Sequence, residues 1–207
     1  MLIFHGQRLV VFSIPRTAST SLHEALRRHA DIEVKTPPKD KHMNVRRFER
    51  WCARTHPEAA EYARVAVMRE PLSRLASWYR YRRRAAVSGT PSSTENLSFD
   101  EFIELGLTST APQAASIGNQ HRFLTREDGT LAVDEIFCLE RRDVLLAYLE
   151  ARFGPVRLKH RNAAPLELLD LDPAREARLR AARAAEFALF ERVAATGRLT
   201  VSRGLAP

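Results

Sequence analysis

The fold is decided by a hydroxyl-rich stretch near the start of the chain, which runs Phe12-Ser13-Ile14-Pro15-Arg16-Thr17-Ala18-Ser19-Thr20-Ser21-Leu22. The apolar, β-branched residues at 9–12 are typical of a buried strand. The apolar residues Leu22, Ala25 and Leu26 have the spacing of a helix. The stretch is therefore predicted to be a turn between a strand and a helix.

Such a turn is a ready site for a phosphate group. The first turn of a helix presents unpaired N–H groups and a partial positive charge. One cation and four hydroxyls lie in it: Arg16, Thr17, Ser19, Thr20 and Ser21. The alternative is a helix N-cap, because Ser and Thr are the usual capping residues, but one cap needs only one hydroxyl. We therefore expect the turn to bind phosphate.

The turn lacks the G-x-x-x-x-G-K-[ST] pattern of nucleoside-triphosphate P-loops, since it contains neither Gly nor Lys. It resembles instead the 5′-phosphosulfate loop of sulfotransferases that use 3′-phosphoadenosine-5′-phosphosulfate (PAPS). The likeness is to the carbohydrate, heparan 2-O-like branch, as a small bacterial-type member. Arg16 stands where that family usually has Lys, which keeps the positive charge but replaces a point charge by a planar fork.

The resemblance implies roles for the residues of this turn. Arg16 would stabilise the charge on the departing phosphate. The 5′ end of the donor would be held by the whole turn, that is by Arg16, Thr17, Ala18, Ser19, Thr20 and Ser21.

Composition indicates one globular domain spanning residues 1–207, with 44% hydrophobic and 28% charged residues. No apolar run approaches the ~20 residues of a spanning helix, and the start lacks the features of a signal peptide. Two cysteines without metal-ligand spacing indicate a reducing, cytoplasmic setting and no metal site. The net charge of +8 suits an anionic partner. It does not distinguish among nucleic acid, a membrane surface and a phosphorylated small molecule.

Short apolar segments alternate with helical patterns along the chain. Strands are predicted at 9–14, 32–34, 65–68, 135–139 and 156–159. Helices are predicted at 19–30, 44–55, 70–87, 99–107, 141–153 and 173–195. This order is typical of an α/β protein, and we expect a three-layer, P-loop-like fold with a central, mostly parallel sheet flanked by helices. Ligands of such sheets bind beyond the carboxyl ends of the strands.

A second strand-to-helix turn lies in the segment Val67-Met68-Arg69-Glu70-Pro71-Leu72-Ser73-Arg74-Leu75-Ala76-Ser77-Trp78-Tyr79. An Arg at a strand end and a Ser on the next helix can converge on one anion through charge-assisted hydrogen bonds. From the residues alone, the alternative is an Arg69–Glu70 ion pair and a Ser77 tolerated on a half-buried face.

The segment is similar to the sulfotransferase pattern V-x-R-x-P-x-x-R-x-x-S-x-Y, which implies that Arg69 and Ser77 hold the 3′-phosphate of the donor. A weaker similarity to carbohydrate sulfotransferases lies in Lys159-His160-Arg161-Asn162-Ala163-Ala164-Pro165. It implies that Arg161 supplies a further cation to the donor.

Sulfuryl transfer needs a base for the acceptor hydroxyl, and His42 is the predicted base. It precedes a helix that is expected to begin at Asn44, and the positive end of that helix, with Lys41, favours the neutral imidazole that accepts a proton. In the branch that the chain resembles, the catalytic His also lies between the two phosphate motifs. The alternatives are Glu33, Asp40, His121 and His160.

The resemblance implies a sulfotransferase that moves a sulfuryl group from PAPS to a hydroxyl acceptor, with a carbohydrate as the expected acceptor, and releases adenosine 3′,5′-bisphosphate. Three alternatives are a nucleotide-binding module that has lost catalysis, a P-loop-type kinase and a basic RNA-binding protein. Against a kinase, the chain lacks the Gly-Lys pair of the P-loop and an evident carboxylate for Mg²⁺. Against RNA binding, the chain lacks the interleaved aromatic and basic residues of proteins that read single strands. The expected partners are therefore the small-molecule donor and acceptor.

Overall fold

The structure is a computed structural model that describes residues 1–158, 169 and 171–202. Within these residues, six strands form one sheet in the order β3-β1-β2-β4-β5-β6. The strands are β1 (Leu2–Phe4), β2 (Leu9–Val11), β3 (Ile32–Glu33), β4 (Ala63–Met68), β5 (Glu135–Cys138) and β6 (Arg198–Thr200). The helices are α1 (Ser19–Leu26), α2 (Pro38–Lys41), α3 (Val45–Thr55), α4 (Pro71–Arg82), α5 (Phe99–Gly106), α6 (Gln120–Leu124), α7 (Arg142–Phe153), α8 (Pro173–Ala182) and α9 (Ala184–Thr196). Short 3₁₀ turns lie at Arg27–His29, Pro57–Glu61 and Ala85–Val87.

The centre of the sheet is parallel and its flanks are antiparallel. β2 pairs with β4, and β4 with β5, in parallel register. β1 pairs antiparallel with β2 and β3, and β6 pairs antiparallel with β5. Two of the five strand pairings among the described residues are parallel and three are antiparallel, so the prediction of a mostly parallel sheet is wrong and the sheet is mixed. The carboxyl ends of β2, β4 and β5 therefore share one edge of the sheet.

Helices cover both faces of this sheet, because the side chains of each strand alternate between two apolar clusters. Val65 and Val67 of β4 face one cluster with Leu22 and Leu26 of α1. On the opposite face, Ala66 and Met68 lie in a second cluster with Phe48 of α3 and Val193 of α9. A third cluster joins α4, α5 and α8 beyond the sheet. The three-layer α/β arrangement is thus as predicted.

Four short elements were not predicted, namely the strands β1 and β6 and the helices α2 and α6. They have three to five residues each and depend on contacts across the fold more than on a local pattern. Two predicted elements differ from the structure. No strand forms at residues 156–158, and residue 159 lies outside the described residues. The helix predicted at 173–195 is divided at Arg183, whose side chain is drawn inward to Glu186 and the carbonyl of Ile117. Within the described residues, no helix is long and apolar enough to cross a membrane.

We expect Leu26→Ala to lower the free energy of unfolding by about 2–5 kcal/mol, because this fully buried side chain holds α1 against the sheet. Urea denaturation measures the change. The control is Leu146→Ala, a half-buried leucine beside the same cluster, which should cost less. Equal losses in the two variants would contradict this role of Leu26.

Candidate active site

The first predicted turn joins the end of β2 to α1 at the carboxyl edge of the sheet. Phe12 still donates its N–H to the carbonyl of Val65 at 2.8 Å, and α1 begins at Ser19. Between them, Arg16 and Ala18 have positive φ angles of 71° and 58°. This left-handed conformation is uncommon outside glycine, and surrounding contacts must hold it.

The hydroxyls of this turn do not cap α1. Ala18 occupies the N-cap position, and no side chain accepts a hydrogen bond there. The hydroxyl of Thr17 instead donates to the carbonyl of Ile14 at 2.9 Å, inside the turn. The N-cap interpretation of the hydroxyl-rich stretch is therefore wrong. An anion at this helix start would meet N–H groups that no capping side chain has taken.

The side chain of Arg16 leaves the first turn and reaches the helix that follows the second. Its Nε and Nη2 donate to the hydroxyl oxygen of Ser77 at 3.1 and 2.9 Å. Its guanidinium carbon lies 4.8 Å from the centre of the Tyr81 ring, within the range of a cation–π contact. The structure thus brings two predicted site residues, Arg16 and Ser77, into direct contact.

The second turn is built at the end of β4. Arg69 directs its side chain to the adjoining turn of α4, where its Nε donates to the hydroxyl of Ser73 at 2.9 Å. The carboxylate of Glu70 caps α4 by accepting from the N–H groups of Leu72 and Ser73. Within the described residues, the ion pair between Arg69 and Glu70 that the sequence allowed is absent. Ser73 and Ser77 are four residues apart, so the two Arg–Ser contacts lie about one helical turn apart.

Positive charge accumulates where these two contacts meet. Burial, followed by the charges of Arg84 and Arg69, lowers the pKa of Arg16 to about 10. Burial also lowers the pKa of Arg69, and Arg80 acts in the same direction. Both guanidinium groups remain charged at neutral pH. The site is therefore suited to a ligand with more than one negative charge.

Arg74 was not predicted as a site residue. Its side chain is 4% exposed, and its Nε donates to the carbonyl of Pro15 at 3.0 Å. Its Nη1 donates to the carbonyl of Gly118 at 2.8 Å. Burial lowers the pKa of this group to about 10. Arg74 thus fixes the first turn to α4. The signal that could have marked it is its place as the second Arg of the V-x-R-x-P-x-x-R-x-x-S-x-Y pattern.

His42 contacts the segment that leads into the first turn. Its Nδ1 is 2.6 Å from the carbonyl oxygen of Ser13. A carbonyl oxygen can only accept, so Nδ1 carries the proton, and Nε2 of the neutral ring is the atom that can accept one. Burial is the main cause that lowers the pKa of His42, with Lys41 adding to it.

The expected reason for a neutral His42 was incomplete. His42 follows the last residue of the short helix α2, whose carboxyl end does not disfavour a cation. Asn44 does cap the next helix, as predicted, by accepting from the N–H of Arg47 at 3.0 Å. The main cause of the lowered pKa is removal of the imidazole from water, and the charge of Lys41 acts in the same direction, as predicted.

The two carboxylates considered as alternative bases are both engaged. Glu33 bonds to His23, which lies buried on α1, and Asp40 pairs with Arg47. His121 lies half-buried on α6. The other alternative, His160, and the predicted donor contact Arg161 lie outside the described residues. Among the described residues, no group of three or more His, Cys, Asp or Glu side chains could hold a metal ion.

A comparison with protein families identifies the chain. A model described as the sulfotransferase family matches residues 1–138, well over half of the 207 residues. No curated protein and no solved structure matches. The matched region contains both turns and His42, and it ends before α7. The chain therefore belongs to the sulfotransferase family, a family of PAPS-dependent enzymes.

Proposed function

We propose that this sulfotransferase moves the sulfuryl group of PAPS to a hydroxyl of a carbohydrate acceptor. The S–O bond to the 5′-phosphate breaks, a new S–O bond forms to the acceptor oxygen, and adenosine 3′,5′-bisphosphate leaves. The acceptor proton passes to a base. The observation that carries the proposal is the pair of hydrogen bonds by which Arg16, from the first turn, reaches Ser77, on the helix after the second.

The 5′ end of the donor is assigned to the first turn. The N-terminus of α1 has no capping side chain, so its N–H groups can bind phosphate and sulfate oxygens. The residues of the turn and of the first helical positions are the proposed contacts, namely Thr17, Ala18, Ser19, Thr20 and Ser21. Arg16 joins them as the cation that stabilises charge on the leaving phosphate, as preorganised cations do in phosphoryl transfer.

The 3′-phosphate is assigned to Arg69 and Ser77. Arg69 reaches Ser73, which lies one turn before Ser77 on α4, and both Arg69 and Ser77 are bonded to a partner that a phosphate could replace or share. The Arg–Ser contacts and the nearby charges of Arg80 and Arg84 suit a dianion better than a neutral ribose hydroxyl. Arg161 is retained as a proposed further donor contact.

His42 is the proposed base. Its Nε2 can accept the acceptor proton while Nδ1 keeps its bond to the carbonyl of Ser13. That bond fixes the tautomer and the orientation of the ring, since rotation of the imidazole would break it. The assignment of the acceptor as a carbohydrate rests on the likeness of the first turn to the carbohydrate branch.

One observation favours a second function, a nucleotide-binding module without catalysis. Arg16 stands where the family usually has Lys, and its planar guanidinium is already in contact with Ser77 and Tyr81. A protein of this kind would bind adenosine 3′,5′-bisphosphate but would not turn over PAPS. Single-turnover measurements with labelled PAPS and a panel of sugar hydroxyl acceptors separate the two functions.

Adenosine 3′,5′-bisphosphate should bind at micromolar strength and stabilise the fold. At about 100 times its Kd the ligand would add about 2.7 kcal/mol, a rise in Tm of roughly 5–10 °C for a chain of this size. A thermal-shift titration measures it, with adenosine as the control. A flat response up to millimolar nucleotide would remove the donor assignment.

Arg69→Ala should weaken binding of adenosine 3′,5′-bisphosphate by about 10- to 100-fold, the range for a hydrogen bond to a charged group. Ser77→Ala should have a smaller effect, because a neutral donor forms a weaker bond. Calorimetry gives the affinities of both variants. The control for the loss of one positive charge is Arg54→Ala, on the exposed side of α3, which should leave the affinity unchanged. If adenosine 5′-phosphosulfate binds the wild type as tightly as PAPS, the 3′-phosphate site is misassigned.

His42→Ala should cut the single-turnover rate by ~10²–10⁴-fold and leave donor affinity nearly unchanged. The pKa of His42 lies below its usual 6.5, so the neutral base persists below that pH. The wild-type rate should therefore rise with pH to a plateau with its midpoint under 6.5. The variant should lose this step, whereas His56→Ala should keep it. An unchanged rate in His42→Ala would assign proton removal to another group.

A further inference from the structure

The backbone of Arg69 is held by one buried side chain. Gln120, at the start of α6, is 0% exposed. Its Oε1 accepts from the N–H of Arg69 at 3.0 Å, and its Nε2 donates to the carbonyl of Arg69 at 2.8 Å. One carboxamide thus satisfies both polar backbone groups of the same residue.

The contact between Gln120 and Arg69 lies just beyond the end of the hydrogen-bonded ladder of the sheet. The ladder between β4 and β5 ends with Met68, whose carbonyl accepts from Leu139 at 2.8 Å. The next residue, Arg69, leaves the sheet while its backbone is still half-buried. At this residue the carboxamide of Gln120 replaces a neighbouring strand as hydrogen-bond partner. The backbone N–H and carbonyl of Arg69 are therefore both bonded, as they would be inside a sheet.

Gln120 is itself held by the last helix of the chain. Its N–H donates to Oε1 of Glu186 on α9 at 2.8 Å. Glu186 is 0% exposed and also accepts from Nη1 of Arg183 at 3.2 Å. A buried carboxylate is tolerated only with such partners. Because α9 lies beyond residues 1–138, the donor site depends on a part of the chain outside the family match.

We propose that Gln120 is a positioning residue for recognition of a nucleotide 3′-phosphate, and that Glu186 keeps Gln120 in place. Gln120 does not contact the phosphate. It fixes the peptide units on both sides of Arg69, so that the guanidinium is directed to Ser73 at the start of α4 before the ligand arrives. The inference rests on the proposed function, which assigns the 3′-phosphate to Arg69.

The test compares two nucleotides that differ only in the 3′-phosphate. Calorimetry gives the affinities of adenosine 3′,5′-bisphosphate and adenosine 5′-phosphate for the wild type and for Gln120→Met, which keeps the length of the side chain but loses its hydrogen bonds. The preference for the bisphosphate should fall about tenfold, the equivalent of one hydrogen bond to a charged group. Affinity for the 5′-phosphate should stay within about twofold, since the first turn is untouched.

Val193→Ala is the control for general destabilisation, because it opens a cavity in the same helix as Glu186 without touching the site. It should lower Tm and leave the nucleotide preference unchanged. If Gln120→Met does not fold, Gln120→Asn replaces it. That variant keeps a carboxamide but is one methylene too short to reach both groups of Arg69, and the same loss of preference is expected.

The outcomes separate this inference from the proposed function. A wild type that binds both nucleotides equally would overturn the 3′-phosphate assignment and this inference with it. A wild-type preference that persists in the Gln120 variant would overturn the inference alone. A parallel loss of both affinities would also overturn it, because the role of Gln120 would then be structural and not specific to the 3′-phosphate.

Discussion

The two strand-to-helix turns of the candidate site depend on one buried guanidinium, that of Arg74. It leaves α4 and donates to the carbonyl of Pro15 at 3.0 Å and to that of Gly118 at 2.8 Å. A cation taken out of water is costly unless its donors are used, and the nearby carboxylate of Glu186 offsets part of that cost. The first turn cannot move relative to α4 without leaving this charge without partners. The distance between the two candidate anion sites is therefore fixed before any ligand binds.

The same constraint explains how a turn without glycine can take this shape. Arg16 and Ala18 adopt left-handed backbone angles that cost free energy for residues with a Cβ atom. Arg74 holds the carbonyl just before Arg16, and Thr17 bonds back to Ile14 inside the turn. These contacts hold the turn in its left-handed conformation. The result is a helix start without a capping side chain.

Electrostatic repulsion among the arginines is the second property of the site. Arg16, Arg69, Arg80 and Arg84 lie close enough for their charges to disfavour one another, and burial adds to the cost. Hydroxyl groups of Ser73 and Ser77 accept from two of them but carry no negative charge. A bound phosphate would supply that charge. The site is thus prepared for an anion at the expense of stability, as is common where function requires a strained arrangement.

The sequence by itself determined the strand-to-helix turns, the α/β class and the types of residue at the site. Apolar runs and helical spacing are local properties, so they could be predicted from neighbouring residues. The tertiary structure alone decided which groups meet. Arg16 pairs with Ser77, 61 residues further along the chain, because α4 packs beside the first turn. Gln120 and Glu186 join the site across 51 and 66 residues of chain, and no local pattern encodes such contacts. They follow from how buried polar groups must find partners once the layers are packed.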